Sequence, residues 1–238
     1  MTGVWLRPQR PSRSGPPLSR DRIVAAAVEL LDQGGVGGLT MRRLAEHLDA
    51  GSTTLYWHVA TKDDVVDLAL DHIFGEVQLP DRRDDEAGLD SEAGLDDEAG
   101  AGRDWRVDVE GLLLGWRAAM LRHPWSAALL GRPMLGPNVL TRTEFLQSAL
   151  RRSGLVEPDL GAATYALANY VIGSAVTLAS WQRPDSPQPP REAAREHLAA
   201  QQDRYPTLVD TGHLDDRDWE VTFRQGLTYL LDGLATRT

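Results

Sequence analysis

The chain has 238 residues, is 42% hydrophobic and contains no cysteine, which allows one large domain or two small ones and excludes a disulfide framework or a thiolate metal site. Its net charge of −10 is unevenly spread: residues 1–62 carry eight Arg/Lys against five Asp/Glu, and residues 63–238 carry 17 against 30, so only the N-terminal part suits a polyanion. No run of about 18 apolar residues indicates a membrane span, and the N-terminus lacks the apolar core of a signal peptide, so a cytoplasmic protein is expected.

Residues 1–18 include Arg7, Arg10 and Arg13 with several prolines and no acid. Such a segment buries too little apolar area to order itself. It reads as a disordered basic arm, either a plain solvated tail or an arm that touches DNA beside a main site. Ser19 to Gln33 is predicted as the first helix, with Ser19 as cap, Ile23, Ala26, Ala27, Leu30 and Leu31 as apolar stripe, and Gly34-Gly35 as stop. Thr40 can cap a second helix in which Leu44, Ala45 and Leu48 share a face. Asp49-Ala50-Gly51 breaks that pattern, and Gly51 is expected to supply the backbone angles of the turn. Ser52 is expected to cap a third helix whose Leu55 and Val59 face inward. Thr53, Thr54, Tyr56, Trp57 and His58 are then left with nothing to pack on. Hydroxyls, an imidazole and two large aromatics make an odd solvent face. They suit a major groove, where polar groups meet base edges and phosphates and apolar atoms meet thymine methyls. Residues 19–62 therefore read as a helix-turn-helix domain.

Asp63 and Asp64 open a linker helix over residues 63–80, where acids suit the positive helix end, and Val65, Val66, Leu68, Ala69, Ile73 and Phe74 give it core. Residues 81–104 hold DEAGLD, SEAGLD and DEAG in tandem, with ten acids and three arginines. The repeat is too short for a solenoid unit and reads as a disordered acidic insertion, either without function or acting as a DNA-charge mimic or docking tail. Residues 105–238 read as a helical body. Val109, Leu112, Leu113, Trp116, Met120 and Leu121 form a stripe that ends at His123-Pro124. A short helix over Trp125–Leu130 follows, then Thr141–Arg152 with Phe145, Leu146, Ala149 and Leu150 inward. A long helix runs from Pro158 or Asp159 to about Trp181, and its many Gly, Ala and Ser residues would let another helix come close. Arg191–Arg204 is a polar helix ended by Tyr205-Pro206, and Asp216–Leu234 is the last, with Trp219, Phe223, Leu227, Leu230 and Leu231 on one side. No strand pattern occurs. The predicted class is all-α: an N-terminal three-helix bundle, a linker helix and a larger helical domain.

Residues 39–70, LTMRRLAEHLDAGSTTLYWHVATKDDVVDLAL, resemble the helix-turn-helix of the TetR family of transcription regulators, above all in TLYWHV followed by Lys62. The resemblance is strong over residues 19–77 and continuous in outline beyond. It implies that Ser52, Thr53, Thr54, Tyr56, Trp57 and His58 meet double-stranded operator DNA, that Arg42 reaches a base, and that Lys62, the only lysine, reaches a phosphate. Met41 departs from the tetracycline repressors, so the operator need not be theirs. The resemblance also implies a body that binds a small-molecule effector and pairs with a second copy through the helices near 159–181 and 216–234. Leu112, Trp116, Met120, Trp125, Met134, Leu146, Tyr165, Asn169 and Trp181 are the expected pocket residues. The magnesium-binding His of tetracycline repressors falls near Leu130 and the acid that assists it near Ser180. Magnesium needs oxygen ligands, so no metal or other cofactor is expected, and the effector is expected to be apolar or aromatic.

An enzyme has no support: there is no Gly-rich phosphate loop, no Gly-x-Ser-x-Gly and no His-Glu-x-x-His, and no pair among six histidines has zinc-site spacing. The expected protein is a repressor that binds a palindromic operator as a homodimer and is released by its effector. The alternative is a DNA-binding protein of the same fold that senses no small molecule and answers to a protein partner.

Overall fold

The computed structural model describes residues 18–80, 104–130, 134–181, 191–215 and 218–237. Every regular element among them is helical: α1 (Arg20–Gly38), α2 (Met41–His47), α3 (Ser52–His58), α4 (Lys62–Gly75), α5 (Trp105–Arg122), a 3-10 helix (Pro124–Leu129), α6 (Pro137–Arg152), α7 (Asp159–Trp181), α8 (Arg191–Ala199), α9 (Pro206–Asp210) and α10 (Trp219–Ala235). The basic arm and the acidic repeat lie outside the described residues except at their inner edges. Leu18 is buried against the core, and Asp104 caps α5 by accepting from the Arg106 N–H at 2.9 Å. Both belong to folded elements and not to the tails assigned to them.

The first helices follow their local signals. Ser19 Oγ accepts from the Arg22 N–H at 3.2 Å, and Thr40 Oγ1 from the Arg43 N–H at 3.1 Å. Each relieves one of the unpaired donors at a helix start. Regular α1 breaks at Gly35 (φ 60°, ψ −169°), where the Gly-Gly stop was read, and a further short turn continues to Gly38. The turn between α2 and α3 differs from expectation. Asp49 takes the left-handed conformation (φ 49°), a state Asp tolerates better than most side chains. Gly51 is extended (φ −65°, ψ 139°) and is itself the N-cap, so Ser52 is the first helical residue and not the cap. At α4 the cap is Thr61: its Oγ1 accepts from the Asp64 N–H at 3.0 Å and Asp64 Oδ2 accepts from the Thr61 N–H at 3.1 Å. This capping box precedes the start read at Asp63.

Helices α1 and α4 pack together through Ile23, Ala27, Leu31, Val65, Ala69 and Ile73, all fully buried. The same α4 then carries the N-terminal head onto the body. Asp71 of α4 is buried and caps α6: Oδ1 accepts from the Val139 N–H at 3.0 Å and Oδ2 from Asn138 Nδ2 at 2.9 Å. In return Arg142 of α6 caps α4, with Nη2 donating to the Gly75 carbonyl at 2.8 Å and Nε to the Val77 carbonyl at 3.0 Å. Each helix thus satisfies the other's end groups with a charge of the sign that end prefers. Desolvation lowers the Arg142 pKa against the opposing pull of Asp71, yet a guanidinium stays charged in protein. A second joint lies at the end of α5. His123 Nδ1 and the Trp125 indole N–H meet the Asp32 carboxylate of α1 at 2.8 and 2.7 Å, and His123 Nε2 meets Glu76 at 3.2 Å.

In the body, α5 packs on α6 and α7. Residues Asp159–Ser180 of α7 are long and apolar enough by composition to cross a membrane, but Leu167, Val171 and Ala175 are buried within the body. Helix α10 lies on α7. Arg117 ties α5 to both: Nε donates to Ser174 Oγ at 3.1 Å, Nη1 pairs with Glu220, and the guanidinium covers the Phe223 ring at 4.6 Å. Gly226 admits Tyr170, whose hydroxyl donates to the Phe223 carbonyl at 3.0 Å; a Cβ there would sit 2.0 Å from that hydroxyl. The polar helix read over 191–204 ends at Ala199, and Pro206 opens the separate short α9 that the sequence did not suggest.

Candidate nucleic-acid interface

Helix α3 is held by two side chains. Leu55, inside the helix, and Val59, its C-cap, are buried in the head core; Val59 is extended (φ −136°, ψ 132°), so it reaches the core from just past the helix and not from the helical face it was expected to share with Leu55. Their burial fixes where the other side chains of α3 point. Tyr56 and Trp57 remain 48% and 63% exposed, and Ser52, Thr53 and Thr54 are exposed beside them. His58 is half-buried. Two large aromatics held out in water on a helix of seven residues give up burial worth about 2 kcal/mol each. Together the exposed side chains of this short helix offer hydroxyl, phenol and indole groups, with the His58 imidazole half-buried beside them, the chemistry that base edges and phosphates accept.

The neighbouring helix α2, packed against α3, carries exposed charge. Arg42, with its side chain 86% exposed, donates from Nε to Glu46 Oε1 at 2.7 Å. That hydrogen bond, reinforced by the carboxylate charge, raises the Arg42 pKa further. Arg43 is used internally, with Nη1 on the Gly38 carbonyl at 2.7 Å, and His47 meets Glu29 at 2.9 Å. Lys62 does not stand free. Its Nζ donates to the Val36 carbonyl at 2.7 Å, tying the start of α4 to the end of α1. Two of its three N–H donors remain for other partners.

The residues assigned to an effector pocket do not form one group. Leu112, Trp116, Met120 and Leu146 are buried together in the body core, and Met134 packs against it half-exposed. Trp116 meets Phe74 of α4 edge-on, ring centroids 6.1 Å apart. Trp125 is buried, but its indole N–H is committed to Asp32, so it belongs to the joint between head and body. Tyr165 and Asn169 are corrections: Tyr165 is 74% exposed, and Asn169 is exposed and donates back to the Tyr165 carbonyl at 2.8 Å. Both lie on the outer face of α7, because Leu167 and Val171 take the inward positions of that helix. Trp181 ends α7, and its side chain lies outside the described residues. Sequence reasoning overlooked Glu46, Asp32, Glu76, Asp71 and Arg142. Only Glu46 left a local signal, four residues after Arg42.

A short helix pair with a bare polar–aromatic ridge, carried by a linker helix on a helical body, defines a helix-turn-helix DNA-binding regulator. Residues 23–69 match the family described as "Bacterial regulatory proteins, tetR family", and residues 98–238 match "Tetracyclin repressor-like, C-terminal domain". A Saccharopolyspora erythraea protein named "HTH-type transcriptional regulator" is 44% identical over 98% of this chain and 91% of its own. The "HTH-type transcriptional repressor DrrR1" of Streptomyces coeruleorubidus is 34% identical over 72% of this chain and 58% of its own. A crystal structure of the Streptomyces coelicolor TetR family protein ActR in complex with actinorhodin superposes with a TM-score of 0.74 at 28% identity, covering 92% of this chain and 98% of that one. The chain belongs to the TetR family of transcriptional regulators: it is a DNA-binding regulator and not an enzyme.

Proposed function

We propose that this protein is a ligand-responsive repressor that binds a palindromic operator as a homodimer. The observation that carries the proposal is the bare Tyr56–Trp57 ridge on a helix anchored by Leu55 and Val59. In this reading Ser52, Thr53, Thr54, Tyr56, Trp57 and His58 enter the major groove, Arg42 reads a base, and the two remaining donors of Lys62 reach a phosphate. A second copy docks on the outer face of α7 and α10, where Tyr165, Val176, Val221 and Tyr229 are exposed beside a groove lined by Tyr170, Gln225 and Gly226. Two heads then meet successive major grooves about 34–36 Å apart. DrrR1, a relative by sequence, is named a repressor, which supports repression as the sign.

The effector site is assigned to the body core around Leu112, Trp116, Met120 and Leu146, with Met134 at its border. ActR, similar in structure, forms a complex with actinorhodin, which supports a small-molecule effector for this chain. The Trp116 indole N–H is buried and has no partner among the described residues. An aromatic, metal-free effector with one hydrogen-bond acceptor fits it best. Trp116 also touches Phe74, so a ligand there bears on α4 and on the spacing of the two heads. The shift it produces is bounded by its difference in affinity for the two head spacings. The protein works in the cytoplasm, where its operator lies.

The test uses the purified full chain. Selection from random duplex DNA is expected to return a two-fold symmetric site. Trp57→Ala is expected to stay dimeric by size exclusion and lose at least about tenfold in operator affinity by gel shift, as removal of a groove contact does. An unchanged affinity would take α3 out of its role and end the reading.

A further inference from the structure

Glu46 is an exposed acid bonded to Arg42, the residue that the proposed function turns toward a polyanion. Helix stability does not account for it. Arg42 stands in the first turn of α2 and Glu46 in its last. Cations are disfavoured at the N-terminal end of a helix and anions at the C-terminal end, so each charge sits at the wrong end. An exposed i,i+4 pair in this order is also the weaker of the two orders. The side chains are 86% and 59% exposed, where such pairs contribute little to folding. Repulsion from phosphates adds a cost in the complex. The pair does have one defined consequence. Its bond comes from Arg42 Nε, at 2.7 Å, and leaves both terminal nitrogens free.

An arginine can grip the O6/N7 edge of guanine end-on, with its two terminal nitrogens, or side-on, with Nε and one terminal nitrogen. The Glu46 carboxylate occupies Nε and so removes the side-on mode. It also holds a long, flexible side chain in one rotamer before DNA arrives, which lowers the ordering cost of the contact. We propose that Glu46 is a specificity-determining positioning residue, which presents the Arg42 guanidinium end-on to a guanine in each half-site. Glu46 touches no base. It trades general affinity for duplex DNA against discrimination at one base pair. This inference rests on the operator-binding reading above.

The experiment is selection and sequencing of bound duplexes from a random library, run on the full-length protein and on Arg42→Ala, Glu46→Ala and Glu46→Gln. Fluorescence anisotropy on the selected site and on an unrelated duplex accompanies it. The wild type is expected to select a symmetric site with an invariant guanine, and Arg42→Ala to lose preference at that position alone. Glu46→Ala is expected to lose about tenfold in discrimination at the same base pair, keep the rest of the site, and bind the unrelated duplex more tightly. Glu46→Gln retains an acceptor for Nε and is expected to recover most of the discrimination. A purely structural role would instead weaken all positions together. If Glu46→Ala reads that position as sharply as the wild type, the inference is overturned. It is also overturned if Arg42→Ala selects an unaltered site, while the regulator reading survives both results. If the wild type selects no site at all, the operator-binding reading itself fails.

Discussion

Leu55 and Trp57 are two residues apart and do opposite work. Leu55 is fully buried in the head core, whereas Trp57 is 63% exposed and lies outside that core. Replacing Leu55 by Ala removes buried methyl groups and leaves a cavity, a loss of about 3 kcal/mol. Thermal melting is therefore expected to drop sharply for Leu55→Ala and to stay unchanged for Trp57→Ala. A Trp57→Ala variant that melted as early as Leu55→Ala would mean that the indole is part of the core. This contrast was legible from sequence, because helical spacing sets Leu55 apart from the aromatics; that Val59 reaches the core from an extended residue just past the helix was not. Lys62 was not. Its chemistry allows either a phosphate or a carbonyl, and only the fold brings the Val36 carbonyl, 26 residues earlier, within 2.7 Å.

Among the elements, α4 and α6 matter most, since each caps the other. Gly136 makes this possible: a Cβ there would lie 2.1 Å from Asp71 Oδ1. Gly136 has φ −71°, so alanine fits its backbone and only the crowding counts. Gly136→Ala is expected to displace the Asp71 carboxylate from the Val139 N–H and from Asn138, two bonds to a charged acceptor. Urea unfolding should register a loss of about 3 kcal/mol. An unchanged midpoint would show that α6 caps itself by other means. Caps made by near neighbours, Ser19 and Thr40, could be read directly, because donor and acceptor are three residues apart. Asp71 and its partners are separated by 67 and 68 residues, and no local pattern marks them.

The molecule as a whole joins an N-terminal head to a body whose described residues include an uncovered apolar face on α7 and α10. Tyr165, Val176, Val221 and Tyr229 stand out on adjoining helices α7 and α10, and Tyr229 is 67% exposed. In the proposed homodimer a second copy covers this face. In that proposed contact Tyr229→Asp introduces a charge, and a buried unpaired charge is costly. Analytical ultracentrifugation is expected to find a monomer with unchanged helix content, and operator affinity should fall because a single head reads only half of the site. A Tyr229→Asp protein that still sedimented as a dimer would move the interface elsewhere. The small residues of α7 had suggested such a contact, but Tyr165 and Asn169 were assigned inward because the register of α7 against the body was unknown.

By itself the sequence determined the helical class, the placement of most helices and the side of α3 that has no partner within the chain. These are local properties: periodicity and end signals act over three or four residues. Only the tertiary structure decided which side of α7 faces out, that Trp125 serves the joint with Asp32, and that Asp71 and Arg142 lock α4 to α6. Periodicity shows which residues share a face, but not which neighbour that face will meet; that depends on how all the helices pack at once.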